Sequence, residues 1–313
     1  MKIYYRPKGS DNWLVTVAIG NKHLLDWEKN ALPTWKVYCE KYSLGLIVFN
    51  EELIGKQHIK WKKVNWHKLL IGKKMKDLGY KLAQVLYLDT DILISPLAPN
   101  VFDIYDENKI AVVSQIEGLP QPLDKTLRRL AFLRNKNWDK NYPLDSALFM
   151  PVAKIFEFHN LKPFTNYLCT GFFIFSVSKH ADLLESWFYK YEADIETLTG
   201  GGEEPHLNYE LQSWGQLQWL PYEFQALWTY EIAWRYPFLF DYGVNKEDLI
   251  RECIESSLYS NHFLHFAGSW GESQMWKIGD YFSSKKKMEN LDQYSSYLTK
   301  PLTGLPKGII KPV

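Results

Sequence analysis

The sequence predicts an α/β fold with a mostly parallel central sheet flanked by helices. Two observations carry this. Short apolar runs rich in β-branched and aromatic residues alternate with stretches of helical periodicity from residue 13 to residue 113. Two of those runs end in polar residues, Gly20-Asn21 and Asp89-Thr90-Asp91, and ligands in such folds bind beyond the carboxyl ends of strands. The chain has 313 residues and is 46% hydrophobic, enough for a sizeable core.

Taken in order, Trp13 to Ile19 reads as a first strand ending in a Gly20-Asn21 turn. His23 to Tyr42 reads as a helix with Leu24, Leu25, Trp27, Ala31 and Leu32 near one face, split or kinked at Pro33. Leu44 to Phe49 is a second strand, and Val64 to Leu78 a helix turning Trp66, Leu69, Leu70 and Met75 inward. The strand Val85-Leu86-Tyr87-Leu88 leads into Asp89-Thr90-Asp91, and Ser95-Pro96 breaks the run. Ile110 to Val113 is a further strand. From Gly118 to Leu161 prolines punctuate short apolar pieces, read as loops and short helices with one helix over Leu123 to Arg134. Leu168 to Val177 is a strand, Lys179 to Ile195 a helix with Leu183, Leu184, Trp187 and Phe188 inward, and Gln218 to Pro221 a short strand. A glycine-rich loop at 199–205 precedes a helix over His206 to Trp214. It is no phosphate loop, because no Lys-Ser/Thr follows it. Asn245 to Tyr259 has amphipathic helical periodicity, and Phe263 to Gly268 is a strand running into a turn.

Asp89 and Asp91 are the chemically telling pair. Two carboxylates beside a hydrophobic strand repel each other and cost several kcal/mol to bury unpaired. A divalent cation removes that cost, and hard oxygen donors suit Mn²⁺ or Mg²⁺, ions that also hold substrate phosphates. The competing reading is a capped strand end, with the carboxylates bonding nearby backbone N–H groups.

Net charge is +1, so no global field argues for nucleic acid. The lysine clusters at 60–63, 73–76 and 285–287 read as solvated faces. Cys39, Cys169 and Cys253 lack metal-type spacing and read as reduced thiols. No run approaches the ~20 apolar residues of a membrane span, and the first residues do not form a signal peptide. A cytoplasmic protein is the expectation. Aromatic content is 16%, with 13 Trp and 20 Tyr, and aromatic faces stack on sugar C–H faces. Trp61, Trp66, Trp138, Trp214, Trp219 and Trp270 lie in polar contexts, and Trp138, Tyr142, Trp228 and Trp270 are candidate acceptor-side rings.

Four blocks in order resemble the nucleotide-sugar glycosyltransferases of the A-type fold, in particular the glycogenin-like family, glycosyltransferase family eight. They are Trp66-His67-Lys68-Leu69-Leu70; the strand with Asp89-Thr90-Asp91, then Ser95-Pro96-Leu97; Thr170-Gly171-Phe172-Phe173-Ile174 followed by Glu203-Glu204-Pro205-His206-Leu207-Asn208; and His265-Phe266-Ala267-Gly268. The resemblance implies a Rossmann-like sheet with a small antiparallel part, and a catalytic domain over 1–284. Its nucleotide-sugar half would be about 1–115 and its acceptor half about 116–284, with a tail over 285–313. It implies transfer of a sugar from a nucleoside-diphosphate sugar, UDP-linked by resemblance, to a glycan or other hydroxyl acceptor with retention.

By the same resemblance Asp89, Asp91 and His265 ligate Mn²⁺ or Mg²⁺, an imidazole favouring Mn²⁺. Lys68 offers charge to the donor. Ala18, Gly20, Asn21, Thr90, Gly171 and Gly268 border the donor, with glycine permitting close backbone approach at Gly20 and Gly268. Glu203 and Glu204 stand where the family has Asp-Gln, beside the reaction centre. Either carboxylate would serve an inverting transfer as general base. Cys169 replaces an Asn of the family pattern, and Ser269-Trp270-Gly271 replaces a Lys-Pro-Trp turn.

Two rival readings follow from the same residues. One is a haloacid-dehalogenase-like phosphatase, whose Asp-x-Asp also follows an apolar strand. That family puts the motif on the first strand with Thr or Val two residues on, where this chain has Leu93. The other is a non-catalytic carbohydrate-binding protein on the transferase fold.

Overall fold

Leu14, Leu46 and Leu86 are fully buried on three neighbouring strands that run the same way, and the sheet grows from that apolar stripe. The computed structural model describes residues 1–137, 147–200, 202–242 and 246–282. Trp138, Tyr142, the 285–287 lysines and the tail from 285 lie outside the described residues.

The main sheet contains β1 (Lys2–Tyr5), β2 (Asn12–Val17), β3 (Gly45–Phe49), β4 (Gln84–Leu88), β6 (Ile110–Ser114), β7 (Leu168–Ser176) and β8 (Leu217–Leu220). A second sheet contains β5 (Ile92–Ile94), β9 (Ala226–Leu227) and β10 (Phe263–His265). The main sheet runs β1-β3-β2-β4-β7-β6-β8. β3, β2 and β4 are parallel neighbours, as are β6 and β8, whereas β1 and β7 run against the strands beside them. Five strands therefore share one direction, as the alternating pattern predicts. The small sheet runs β5-β10-β9, with β5 antiparallel and β9 parallel to β10.

The insertion of β7 decides where the site forms. It lies between β4 and β6 with Leu88 opposite Phe172. Its first residues therefore sit at the end of the sheet where β4 finishes. The second sheet meets this place, because Phe266 N–H donates to the Asp91 carbonyl at 3.0 Å. Its strand β5 is held in turn by the Trp35 indole N–H on the Ile92 carbonyl at 2.7 Å and by the Ile94 N–H on Thr34 Oγ1 at 3.1 Å. Buried groups of this kind are bonded because leaving them unpaired is costly.

Local structure follows the predicted pattern with resolvable differences. The His23 to Tyr42 stretch is two helices, Asn21–Asn30 and Leu32–Tyr42, with Pro33 in the first turn of the second, a place where its missing N–H is harmless. The Val64 to Leu78 stretch is a 3₁₀ turn, Val64–Leu70, followed by the helix Ile71–Asp77. Strand β1 and the helix Trp228–Arg235 carry no signal singled out in the sequence, and the helix Val152–Phe158 lies in the 118–161 stretch expected to hold loops and short helices. Lys62 is not on a solvated face. It is fully buried, with Nζ donating to the Lys60 and Tyr191 carbonyls at 3.1 and 3.0 Å and lying 3.9 Å over the Phe188 ring. Burial pushes its ammonium down to about 8. Cys39, Cys169 and Cys253 are all free and buried, and among the described residues no helix is long and apolar enough to cross a membrane.

The contacts divide the chain into two units, Met1–Gly279 and Asp280–Val313. All elements above belong to the first, and of the second only residues 280–282 are described.

Candidate metal centre and its cleft

Asp89 follows the last residue of β4, Asp91 precedes β5, and His265 ends β10. One ligand atom from each lies within 4.8 Å of the others. His265 Nε2 is 3.3 Å from Asp91 Oδ1 and 3.9 Å from Asp89 Oδ2. The ring is buried, and Nε2 makes no well-formed hydrogen bond although it lies in ion-pair range of Asp91; a cation between the two acids and the ring would use that lone pair. Two carboxylate oxygens and an imidazole nitrogen are donors suited to Mn²⁺. The residues therefore fit a divalent cation.

Backbone geometry fixes the two acids. The Asp89 N–H donates to the Gly171 carbonyl at 2.8 Å. Gly171 has no room for a side chain: an added Cβ would stand 2.3 Å from His265 Cε1 and 2.8 Å from Asp89 Oδ2. Glycine at this position lets β7 and the imidazole approach each other. Strand periodicity puts Tyr87 on the face of Asp89, and its hydroxyl donates to Asp89 Oδ1. Lys68 Nζ contacts the same Oδ1 at 3.3 Å, so Asp89 Oδ2 is the oxygen turned toward His265. Burial raises the Asp91 carboxyl on its own, but the neighbouring His265 charge prevails and holds it below the usual carboxylate range.

Lys68 also reaches Glu203 Oε1 at 2.8 Å and the Thr170 carbonyl at 3.1 Å, and its ammonium lies over the Tyr87 ring. Burial opposes its charge, but Asp89 and Glu203 more than offset this and hold it well above the ordinary lysine value. Lys68 is thus engaged by two carboxylates and a carbonyl. Glu203 is buried and accepts a 2.5 Å hydrogen bond from Thr170 Oγ1 as well.

Glu204 is placed differently. It opens the helix Glu204–Trp214 and lines a cleft of about 660 Å³, within the usual size of a small-molecule site. The cleft adjoins the centre through Cys169, whose Sγ lies 3.4 Å from His265 Nδ1, and through Ala267-Gly268, which begin two residues past the end of β10. Burial, and then the charge of Glu203, push the Glu204 carboxyl up to about 7. Much of the wall is apolar, from Leu123, Leu127, Phe149, Ile155, Phe164 and Trp270. Trp270 packs face-on to Arg134, with Arg134 Cζ 4.5 Å from the ring, and Arg134 forms a wholly buried ion pair with Glu272. Gly268 has a left-handed φ of +98°, and a Cβ there would press on Trp270 at 3.0 Å.

Of the sequence candidates, Asp89, Asp91, His265, Lys68, Gly171 and Glu203 form one contact cluster. Glu204 and Gly268 line the cleft beside it, and Thr90 sits half-exposed between the acids. Ala18, Gly20 and Asn21 lie at the carboxyl end of β2, the parallel neighbour of β4. Trp270 lines the cleft, whereas Trp228 does not: it is fully buried against Phe266 and Tyr236. Trp66 is likewise core. Sequence reading missed Tyr87 and Thr170, described above, as well as Tyr167, which lines the cleft, and Gln225, whose side-chain amide lies 3.0 Å from His265 Nδ1. Tyr87 was legible from its two-residue spacing to Asp89; Gln225 was not, since it comes from a distant turn.

No protein-family model and no curated protein matches the sequence. Among solved structures, the chain is similar to a glycosyltransferase involved in the glycosylation of the major capsid of PBCV-1. The TM-score is 0.46 at 8% identity, covering 86% of this chain and 100% of that one. It is also similar to the glycosyltransferase GlyE of Streptococcus pneumoniae TIGR4, with a TM-score of 0.42 at 13% identity, covering 94% of this chain and 66% of that one.

Proposed function

We propose that this chain is a metal-dependent glycosyltransferase that moves a sugar from a nucleoside-diphosphate sugar, UDP-linked, to a hydroxyl acceptor. The observation that carries the reading is the buried Nε2 of His265, which faces Asp89 and Asp91 at the carboxyl end of β4 with no well-formed hydrogen bond. Asp89 Oδ2, Asp91 Oδ1 and His265 Nε2 would hold Mn²⁺ or Mg²⁺. When bound, such an ion neutralises the donor's phosphates and stabilises charge on the departing diphosphate.

The remaining work falls to the chain's own side chains. Lys68 and Tyr87 orient Asp89 through Oδ1 and leave Oδ2 for the cation. Ala18, Gly20 and Asn21 border the nucleoside from the neighbouring strand, and Thr90, Gly171 and Gly268 border the donor at the centre. The cleft takes the acceptor, and its apolar wall with Trp270 suits one presenting an apolar face, such as the C–H face of a sugar.

A second reading concerns stereochemistry. Retention is what the family resemblance implies. A carboxyl raised to about 7 in the cleft is also poised to accept a hydroxyl proton at neutral pH, which favours inversion with Glu204 as base. Glu203, tied to Lys68 and Thr170, serves to hold the cluster. The anomeric configuration of the product, read by proton NMR, separates the two.

The test is a hydrolysis screen of nucleotide-sugars with Mn²⁺, with Asp91→Ala as control. One donor is turned over, and activity disappears in the variant and in chelator. Equal activity in Asp91→Ala or in chelator would overturn the metal reading. Absence of turnover with every donor, despite measurable donor binding, would favour a carbohydrate-binding protein. A phosphatase of the haloacid-dehalogenase type would instead be trapped by phosphate analogues at Asp89.

A further inference from the structure

We propose that Gln225 is a positioning residue for the cation-binding imidazole. It fixes His265 in the tautomer protonated at Nδ1, so that Nε2 turns its lone pair toward Asp89 and Asp91. The inference rests on the metal reading above and concerns a residue outside the acidic motif and the cleft.

A histidine can ligate through Nε2 only if that nitrogen carries no proton, and the neutral ring then carries its proton on Nδ1. The Nδ1–H in turn needs an acceptor. Two groups lie within reach of Nδ1: the terminal amide of Gln225 at 3.0 Å and Cys169 Sγ at 3.4 Å. Sulfur is a weak acceptor, and it lies farther from Nδ1 than the amide does. The strong acceptor available is therefore the Gln225 carbonyl oxygen.

The amide oxygen and nitrogen of a glutamine exchange places on a half-turn of its last torsion. As assigned in the structure, the Gln225 nitrogen faces the ring 3.0 Å from Nδ1, and in that orientation the amide donates to Nδ1. The imidazole proton is then driven onto Nε2, and Oε1 of Gln225 is left buried without a partner. With the oxygen toward the ring, Nδ1–H donates to Oε1 and Nε2 is free to ligate.

The fold supports a fixed role. Gln225 is 2% exposed and closes the turn Tyr222–Gln225. The next residues form β9, whose Leu227 pairs with His265 on β10. The amide is therefore anchored one residue before β9 and the ring at the end of β10, two strands that are paired with each other.

The test uses the full chain with Mn²⁺ itself as probe. Binding is read from the paramagnetic resonance of free Mn²⁺, and folding from the thermal midpoint. Gln225→Leu is expected to weaken Mn²⁺ binding by about 10- to 100-fold, the usual effect of losing such a partner. Gln225→Glu, which still presents an acceptor to Nδ1–H, is expected to stay within about threefold of wild type or bind more tightly. Nitrogen-15 NMR of the wild-type chain with diamagnetic Mg²⁺ is expected to show His265 protonated at Nδ1, the signal being assigned by its loss in His265→Asn. A Gln225→Leu chain that binds Mn²⁺ as wild type does, while His265→Ala does not, would overturn the role of Gln225 and leave the metal site standing. Unchanged binding in His265→Ala would overturn the metal site itself. If Gln225→Leu fails to fold, the wild-type tautomer decides, and an Nε2–H signal in Mg²⁺ would refute the proposal.

Discussion

Gly171→Ala perturbs the candidate centre by one carbon atom, and its consequence can be worked from distances. The new Cβ would stand 2.3 Å from His265 Cε1, 3.0 Å from His265 Nε2 and 2.8 Å from Asp89 Oδ2. Carbon atoms in contact settle near 3.5–4.0 Å, so the ring must retreat by roughly 1 Å. Strand β7 cannot yield instead, because it is held between β4 and β6 and its Gly171 carbonyl accepts from Asp89 N–H. Metal–ligand distances tolerate only about 0.2 Å. The expected result is a loss of Mn²⁺ affinity of about 100-fold or more, the upper end of a ligand-shell disturbance. Overpacking also lowers stability by about 1–3 kcal/mol. Gly45→Ala is the matched control. Its Cβ would meet the Trp13 ring at 2.1 Å, at the end of β2 and β3 opposite the acids. It should lower the urea midpoint in the same way while leaving Mn²⁺ binding intact. Calorimetric titration with Mn²⁺ alongside urea unfolding reads both quantities. Wild-type affinity in folded Gly171→Ala, or equal loss in Gly45→Ala, would refute the assigned geometry.

Two further predictions concern charge. The Glu204 carboxyl is pushed up in the folded chain to about 7 by burial and by Glu203, so its contribution to stability is complete below the ordinary carboxylate range and is lost as pH rises through about 7. In chelator, Glu204→Gln should therefore gain on wild type in urea midpoint between about pH 5 and pH 8; parallel curves would show that the shift is absent. Lys68→Met leaves Asp89 and Glu203 without their shared cation, and breaking a buried pair costs about 3–5 kcal/mol. The unfolding midpoint of the metal-free protein should drop accordingly, with Mn²⁺ restoring part of the loss; an unchanged midpoint would mean that Lys68 is not the ion that neutralises this cluster.

How much of this was legible in the sequence depends on whether the signal was local. The β2, β3 and β4 strands, the helix break at Pro33 and the Asp89–Asp91 pair are each written within about ten residues, and each appears where the local pattern puts it. His265 was legible only through its place in His-Phe-Ala-Gly. Nothing in periodicity tells a buried core histidine from one whose Nε2 faces two acids 174 and 176 positions earlier in the chain. Glu203 and Glu204 are adjacent and chemically identical, yet one is clamped by Lys68 and Thr170 while the other lines the cleft. That division comes from the helix start at Glu204 and from what surrounds it, so no composition rule separates them.

The direction of β7 is the deepest case. An apolar run such as Leu168 to Ser176 reads the same parallel or antiparallel, since all nine residues are buried and no alternation marks a face. Had β7 entered parallel to β4, its glycine would lie toward the far end of the sheet, and Asp89 would lose the carbonyl that positions its N–H. Running the other way, it sets Cys169, Thr170 and Gly171 against the end of β4, where each has a distinct task. Gly171 admits the imidazole, Thr170 binds Glu203 through its hydroxyl and Lys68 through its carbonyl, and Cys169 joins the centre to the cleft. The centre is therefore a product of strand order: the acids come from one strand end, the space for their partner from a strand inserted against them, and the imidazole from a second sheet bound to Asp91 through Phe266.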